Sequence, residues 1–469
     1  MKNTILAFSL SLLLPGSAFA QWSSDPMANL GVAVKPDDQV QPKVRPTGDG
    51  GCYISWFDND PSGNPPFGYD VFLQRLDASG VPQFPAGGIR LADLGLSSTQ
   101  DYGFDVDKDG NALVCFLDDR RKHNPNVVVT VVKVSPAGEQ LYGSKGREVA
   151  RGADFLGNSK VTATSDGSAV AGWIEGNNLM FQRINRSGWK QWGPSGITIA
   201  APAGLTYSLA DLHAGDDGSV IASWVSAAGF TGPKHLLANK IGADGTLLWG
   251  TDNVIVFDGG SLQFGNFPPF VTDGAGGAVF GWYEVTPLQA RAQHILADGT
   301  EAFPHNGTPG STNTPHDQVN PAVSYDQASG DTYLFWDEIL EGPLTNEGIS
   351  GQKFNSTGVA QWGDFGLVVQ PFTSSAVLNV TNVFTAAGPL VVWSSEASFG
   401  QDSITGAKLS PSGTFLCPPF AVSSILSSKS RLDLTLSVND VAFAVWSDGR
   451  NDGGDIYAQD IKPDCSLGQ

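Results

Sequence analysis

Short stretches of alternating apolar and polar residues recur along the chain, and each ends in an aromatic residue. Examples are "CYISW", "AVAGW", "VIASW", "AVFGW", "TYLFW", "LVVW" and "AFAVW". A period of two is the signature of a β-strand with one face turned inward. The marked aromatics are Trp56, Phe116, Trp173, Trp224, Trp282, Trp336, Trp393 and Trp446, and their mean spacing is about 56 residues, near the length of a propeller blade repeat. Before most of them lies a Gly- or Asp-rich turn such as "TGDGG", "DKDGN", "TSDGS" or "GDDGS". Residues of this kind accept positive φ and close hairpins.

A second alternating strand follows each aromatic after a loop of variable length, as in "DVFLQRLDASG" and "DIYAQDIKPD". It ends in a turn with Gly, and the fourth residue beyond that Gly is again large and apolar: Gly80 leads to Phe84, Gly188 to Trp192 and Gly245 to Trp249. A short apolar strand such as "GIRLA" closes the unit. Four short strands per unit is the pattern of a propeller blade. The last unit stops at Gly468-Gln469, and its missing end stands at the start of the chain as Trp22 and "LGVAV" up to Val34. A repeat split across the two ends predicts ring closure, with the N-terminal strand completing the last blade so that no sheet edge stays open. The expected fold is all-β, a single β-propeller of eight four-stranded blades. Seven is the alternative if the Phe116 unit is absorbed elsewhere.

Composition agrees. The chain holds 57 Gly and 29 Pro in 469 residues, a supply of turn formers that helices do not want. Residues 1–20 read as a signal peptide, with Lys2, an apolar run from Thr4 to Leu14 and Ala18-Phe19-Ala20 as the cleavage site. That leaves 21–469 as the propeller domain and predicts a secreted protein, periplasmic or extracellular, with no integral membrane segment after cleavage. The formal net charge of −20 repels phosphate backbones, so nucleic acid is excluded as a partner, while glycans and extracellular proteins stay open. A monomer is expected.

The closing unit, "WSDGRNDGGDIYAQDIKPD", resembles a repeat of secreted bacterial β-propeller proteins that reads W-x-D-x-R, a loop, then D-I-Y-A-Q-x-[L/I]-D-x-x-G. Trp446, Asp448, Arg450, Asp455, Tyr457 and Gln459 carry the match, and Asp460 departs from it. The resemblance implies the propeller fold and no activity. The turns "LDASGVPQF" and "GADGTLLW" are similar to the tryptophan-docking motif of eight-bladed quinoprotein-like propellers. That family's dehydrogenases carry a vicinal cysteine pair, which this chain lacks, so the likeness implies shared docking of blades and not quinone chemistry.

Candidate chemistry is sparse. Two residues after the strand aromatic an acid recurs, at Asp58, Asp118, Glu175, Glu284, Glu338 and Asp448. Such a ring offers cation ligands or acid/base pairs on the loop face; the structural alternative is that each acid serves its own loop or pairs with Arg120 or Arg450. Long post-aromatic loops carry Phe67 and Phe230, and Trp189 falls outside both repeat positions, so these three are candidate exposed rings for ligand binding. Asp105, Asp107 and Asp109 resemble the start of a calcium loop, although the twelfth position is Phe116. Asp448, Asp452 and Asp455 form a second acidic loop. Calcium is the only cofactor these suggest. Cys417 and Cys465 occupy neighbouring turns of the last two units and are expected to bond, leaving Cys52 and Cys115 free and buried.

Searches for His-Glu-x-x-His, Gly-x-Ser-x-Gly and phosphate-binding motifs find nothing. The expectation is an exported, non-catalytic binding scaffold whose loop face takes a glycan or protein ligand. The alternatives are a polysaccharide-acting enzyme on the same scaffold, a glycoside hydrolase or lyase, and an envelope assembly scaffold.

Overall fold

In a computed structural model, which describes residues 21–468 apart from 60–67, 98, 122–126, 153, 314 and 341–345, every regular element is a strand. The strands form eight antiparallel four-stranded sheets arranged as the blades of one β-propeller. Blade 1 shows the local logic. Gln39–Pro46 turns through the Gly- and Asp-rich hairpin into Cys52–Asp58, which pairs with Asp70–Leu76, which pairs with Ile89–Ala92. The Phe116 unit forms a full blade of its own, so the count is eight. The signal-peptide residues and Phe67 lie outside the described residues.

Ring closure takes the expected form. Leu30–Ala33 pairs antiparallel with Asp455–Ile461 as the outermost strand of blade 8. Trp22 stacks on Phe443 with ring centroids 5.4 Å apart and donates its indole N–H to the carbonyl of Ala78 in blade 1. The same contact recurs between other blades, where Trp192, Trp249 and Trp362 donate to carbonyls in the following blade's turn. The turn glycine of that blade lies against the ring. Gly299 has φ +85° and a Cβ built there would meet Trp249 at 2.8 Å, so the position requires glycine twice over.

The strand tryptophans fill the space between sheets. Trp56, Trp173, Trp224, Trp282, Trp336, Trp393 and Trp446 are all fully buried. Rings of this size dominate the energetics of such a core. Cys417 and Cys465 are bonded, tying the outer strand of blade 7 to the C-terminal turn of blade 8, and Cys52 and Cys115 are free and buried. A disulfide is compatible with an oxidising compartment. Among the described residues no helix is long and apolar enough to cross a membrane.

The first strand of each blade is innermost. These strands contact their neighbours around the ring, and Lys429–Leu436 of blade 8 returns to Gln39–Pro46 of blade 1. Strand order puts the post-aromatic loops and the blade-to-blade connections on one face, the loop face. The hairpin turns lie on the opposite, turn face.

Candidate functional site: the loop face and the axial channel

The recurring acids turn inward, not toward solvent. Asp58, Asp118, Glu284, Glu338 and Asp448 are buried. A buried indole N–H needs an acceptor, and in three blades the acid two residues on supplies it: Trp56 donates to Asp58 at 3.3 Å, Trp173 to Glu175 at 3.4 Å and Trp446 to Asp448 at 2.8 Å, whereas the indole N–H groups of Trp282 and Trp336 find no acceptor among the described residues. Where Ser395 replaces the acid, its hydroxyl accepts from Trp393. The remaining charge is met by local cations. Lys35 pairs with Asp58 at 2.6 Å, Arg120 with Asp118 at 2.7 Å and Arg291 with Glu284 at 2.6 Å, while the Nδ1 of His316 lies 2.7 Å from Glu338. The expected surface ring of carboxylates is therefore a set of internal pairs. Glu175 alone of the six is half-exposed, at the edge of a groove of about 460 Å³ that it shares with Asp154 and Asn177.

The two acidic loops are also drawn into the scaffold. Asp105 reaches the next blade, accepting from the Thr162 hydroxyl and the Ala163 N–H. Asp107 closes its own hairpin and pairs with buried Lys133 at 2.7 Å, and Asp109 faces Arg186 at 3.7 Å. In the other loop Asp448 accepts from Trp446, Ser427 and Arg450 and lies 3.3 Å from the Lys429 ammonium. Burial alone would raise its carboxyl; the hydrogen bonds from Arg450, Ser427 and Trp446 hold it below the usual carboxylate range. Asp452 caps the Gly454 N–H, and Asp455 accepts from Asn451. Among the described residues no group of three or more His, Cys, Asp or Glu side chains is arranged to hold a metal ion.

The candidate aromatics separate. Trp189 is 64% exposed, but it sits on the turn face with the Arg147 guanidinium over its ring. Phe230 is 72% exposed on the loop face of blade 4, and its ring centroid lies 4.5 Å from that of Phe264, in the connection to blade 5. Lys234 stands over Phe264, and three residues further on the exposed Phe267 lines the axial channel. An apolar path thus runs from the loop face of blade 4 to the channel mouth.

That channel encloses about 690 Å³, and all eight innermost strands line it. In six of these strands the register shifts at corresponding places, which marks a repeated β-bulge. Five of the bulges hold a residue with positive φ: Gln41, Asn158, Asn320, Asn379 and Arg431. Blades 8 and 1 to 4 bring charge to the wall, including Asp433, Arg45, Lys160 and Asp211, whereas blades 5 to 7 bring Pro269, Val271, Pro321 and Val383. Asp101, at the loop-face end, holds both the Lys43 and the Lys160 ammonium groups, and the two lysines keep its carboxyl low against the effect of burial. His213 bonds Asp211 at 2.9 Å; burial works against its charge, but Asp211 outweighs that and raises the imidazole above its usual range.

A second cavity of about 300 Å³ opens beside Asp101 between blades 1 and 3, lined by Phe57, Tyr102, Leu117 and Phe155. Sequence reasoning picked out only Asp105 of the channel residues, and for another role. Their signal was present: cations placed just ahead of the hairpin turns, as in Lys43 and Arg45 before "TGDGG" and Lys160 before "TSDGS", in a chain of strongly negative charge.

No family model matches this chain, and no curated protein matches it. Solved structures do. The chain is similar to a polysaccharide lyase, the PL25 ulvan lyase, with TM-score 0.46 and 10% identity over 86% of this chain and 97% of that one. It is similar to a eukaryotic initiation factor, with TM-score 0.41 and 11% identity over 96% and 97%. It is also similar to the α-L-arabinanase of Penicillium chrysogenum, with TM-score 0.37 and 12% identity over 64% and 92%.

Proposed function

We propose that this chain is an exported, non-catalytic propeller that binds a glycan through its loop face. The observation that carries the reading is the exposed pair Phe230 and Phe264, continued by Phe267 into the channel. Exposed neighbouring rings on a rigid scaffold offer large apolar contact area at low ordering cost, which suits the apolar face of a sugar ring. Five of the six recurring acids are buried within the blades, which leaves Glu175 alone of the set open to a ligand. A glycan array on the purified protein, followed by calorimetry with Phe230→Ala and Phe264→Ala, tests it. The variants are expected to weaken binding at least tenfold while thermal unfolding stays unchanged, because both rings are exposed. Blank arrays overturn the reading, and a protein captured in their place makes the ligand a protein.

A second reading, an enzyme acting on polysaccharide, is favoured by one feature. The His213–Asp211 pair opens into the channel beside Lys160 and Arg45, and titratable pairs in clefts are the usual seat of proton transfer. Release of reducing ends from a bound polysaccharide, lost in His213→Gln, is its test.

A further inference from the structure

We propose that the axial channel recognises an acidic glycan, with the sugar's carboxylate or sulfate group taken by Arg431, Lys160 and Arg45. This rests on the glycan-binding reading and names the class of glycan.

Charge is the first ground. The chain as a whole carries −20, yet the channel wall holds Lys43, Arg45, Lys160 and Arg431 against Asp105, Asp211 and Asp433, with Asp101 at the mouth. The four cations and four anions cancel, so the channel is locally neutral in an acidic chain and does not repel an anion as the rest of the surface does.

Hydrogen-bond accounting is the second. The three channel carboxylates are occupied in one repeated way. One oxygen accepts the N–H of the following residue, in Val106, Leu212 and Leu434. The other accepts a backbone N–H of the next blade, from Ala163, Phe270 and Val44. Each aspartate is thus a staple between innermost strands. The cations are not used up. Among the described residues the Lys160 ammonium has one partner, Asp101. Arg45 spends its Nε on the Phe104 carbonyl and its Nη1 on Asp433 and the Val44 carbonyl, leaving Nη2. Arg431 is exposed, lines the channel and has no hydrogen bond or ion pair among the described residues. The surplus is one of donors, and oxyanions are pure acceptors.

The third ground is the residue at the bulge. Arg431 has φ +56°, and the corresponding positions of blades 3, 6 and 7 hold asparagine. Asparagine tolerates this conformation better than arginine does. An arginine held there without a partner is a local cost that folding does not explain, and such costs collect at functional sites. Opposite, Pro269, Val271 and Pro321 form an apolar wall. A ligand with an apolar face and an anionic edge fits both sides, and an acidic pyranose has that shape.

Calorimetry with two matched pairs tests this: oligogalacturonate against its methyl ester, and dextran sulfate against dextran. Arg431→Asn installs the residue that three other blades carry at this bulge, so the fold is expected to persist, and circular dichroism checks it. Lys160→Gln is the second variant. The acidic member of at least one pair is expected to bind and its neutral partner to bind at least tenfold more weakly. Arg431→Asn should cost about tenfold, the worth of one charge-assisted hydrogen bond. Equal binding of acidic and neutral partners, or full affinity in both variants, overturns the inference and leaves the glycan reading standing. Polyglutamate bound as tightly as the acidic glycan also overturns it. A protein that binds no glycan of either kind loses both readings together.

Discussion

Asp337 gives a sharp test of the electrostatics inside the ring. It follows Trp336 directly, so its side chain lies on the other face of the strand, where it is buried and its Oδ1 has no hydrogen-bond partner. Glu347 belongs to the neighbouring strand, whose Ile349 pairs with Asp337, so the two acids are diagonal neighbours on one face of the sheet. Burial first, and then the charge of Glu347, push the Asp337 carboxyl up from 3.8 to about 8. The folded protein therefore binds a proton between pH 4 and pH 8 that the unfolded chain has released. Stability falls as pH rises through that window and levels off above it. At about 1.4 kcal/mol per unit, the part of the shift that lies below pH 7, about three units, corresponds to about 4 kcal/mol at that pH. Asp337→Asn keeps the shape, removes the titration and can donate to Glu347. A net gain of about 2 kcal/mol at pH 7 is expected, about half of that figure, because the new amide must also be satisfied. At pH 4.5 the gain should vanish. Chemical denaturation of both proteins from pH 4.5 to 9 measures it. Equal pH dependence in the two proteins would refute the reasoning, as would a variant less stable at every pH.

Two further outcomes follow from the same contacts. Asp448→Ala leaves the buried Lys429 ammonium without its nearest countercharge and should cost about 3–5 kcal/mol, read as a lower denaturation midpoint; because folding holds the Asp448 carboxyl low, the wild-type advantage should fade as pH drops below the usual carboxylate range. Replacing Cys417 and Cys465 together by Ala opens a 48-residue loop and should cost about 4 kcal/mol by chain entropy, with no change in the wild-type stability of a sample already reduced.

The fold was legible because it is periodic. Eight aromatics at near-even spacing announced the blades, and the split repeat announced the closure that Leu30–Ala33 makes with blade 8. The Cys417–Cys465 bond followed from matching turns in consecutive units. The site was less legible for a physical reason. A carboxylate two residues after a tryptophan looks the same in sequence whether it faces solvent or accepts the indole N–H, and in blades 1, 3 and 8 it does the latter. Phe230 could be read as exposed because it sits in a long loop, but its partner Phe264 lies in a connection with no repeat signature. The channel charges were hidden for a third reason. The bulge shifts register inside six of the innermost strands, Gln39–Pro46 among them, so simple alternation does not say which of Lys43, Val44 and Arg45 faces the axis.

A ring of equivalent units has a consequence for where recognition can reside. Contacts repeated in several blades, such as the docked tryptophans and the inter-strand aspartates, serve first to hold the blades together. A ligand on the axis meets all eight blades at once and is oriented only by their differences. Those differences are concentrated in the innermost strands, where blades 8 and 1 to 4 present charge and blades 5 to 7 present apolar side chains. Arg431 stands where the repeat elsewhere favours asparagine, and it alone among the channel cations has no partner among the described residues. The exposed aromatics break the pattern on the blade 4 and 5 side of the same mouth. Where the eightfold pattern is kept, the residues serve the scaffold; where it is broken around the axis, they are free to serve a ligand.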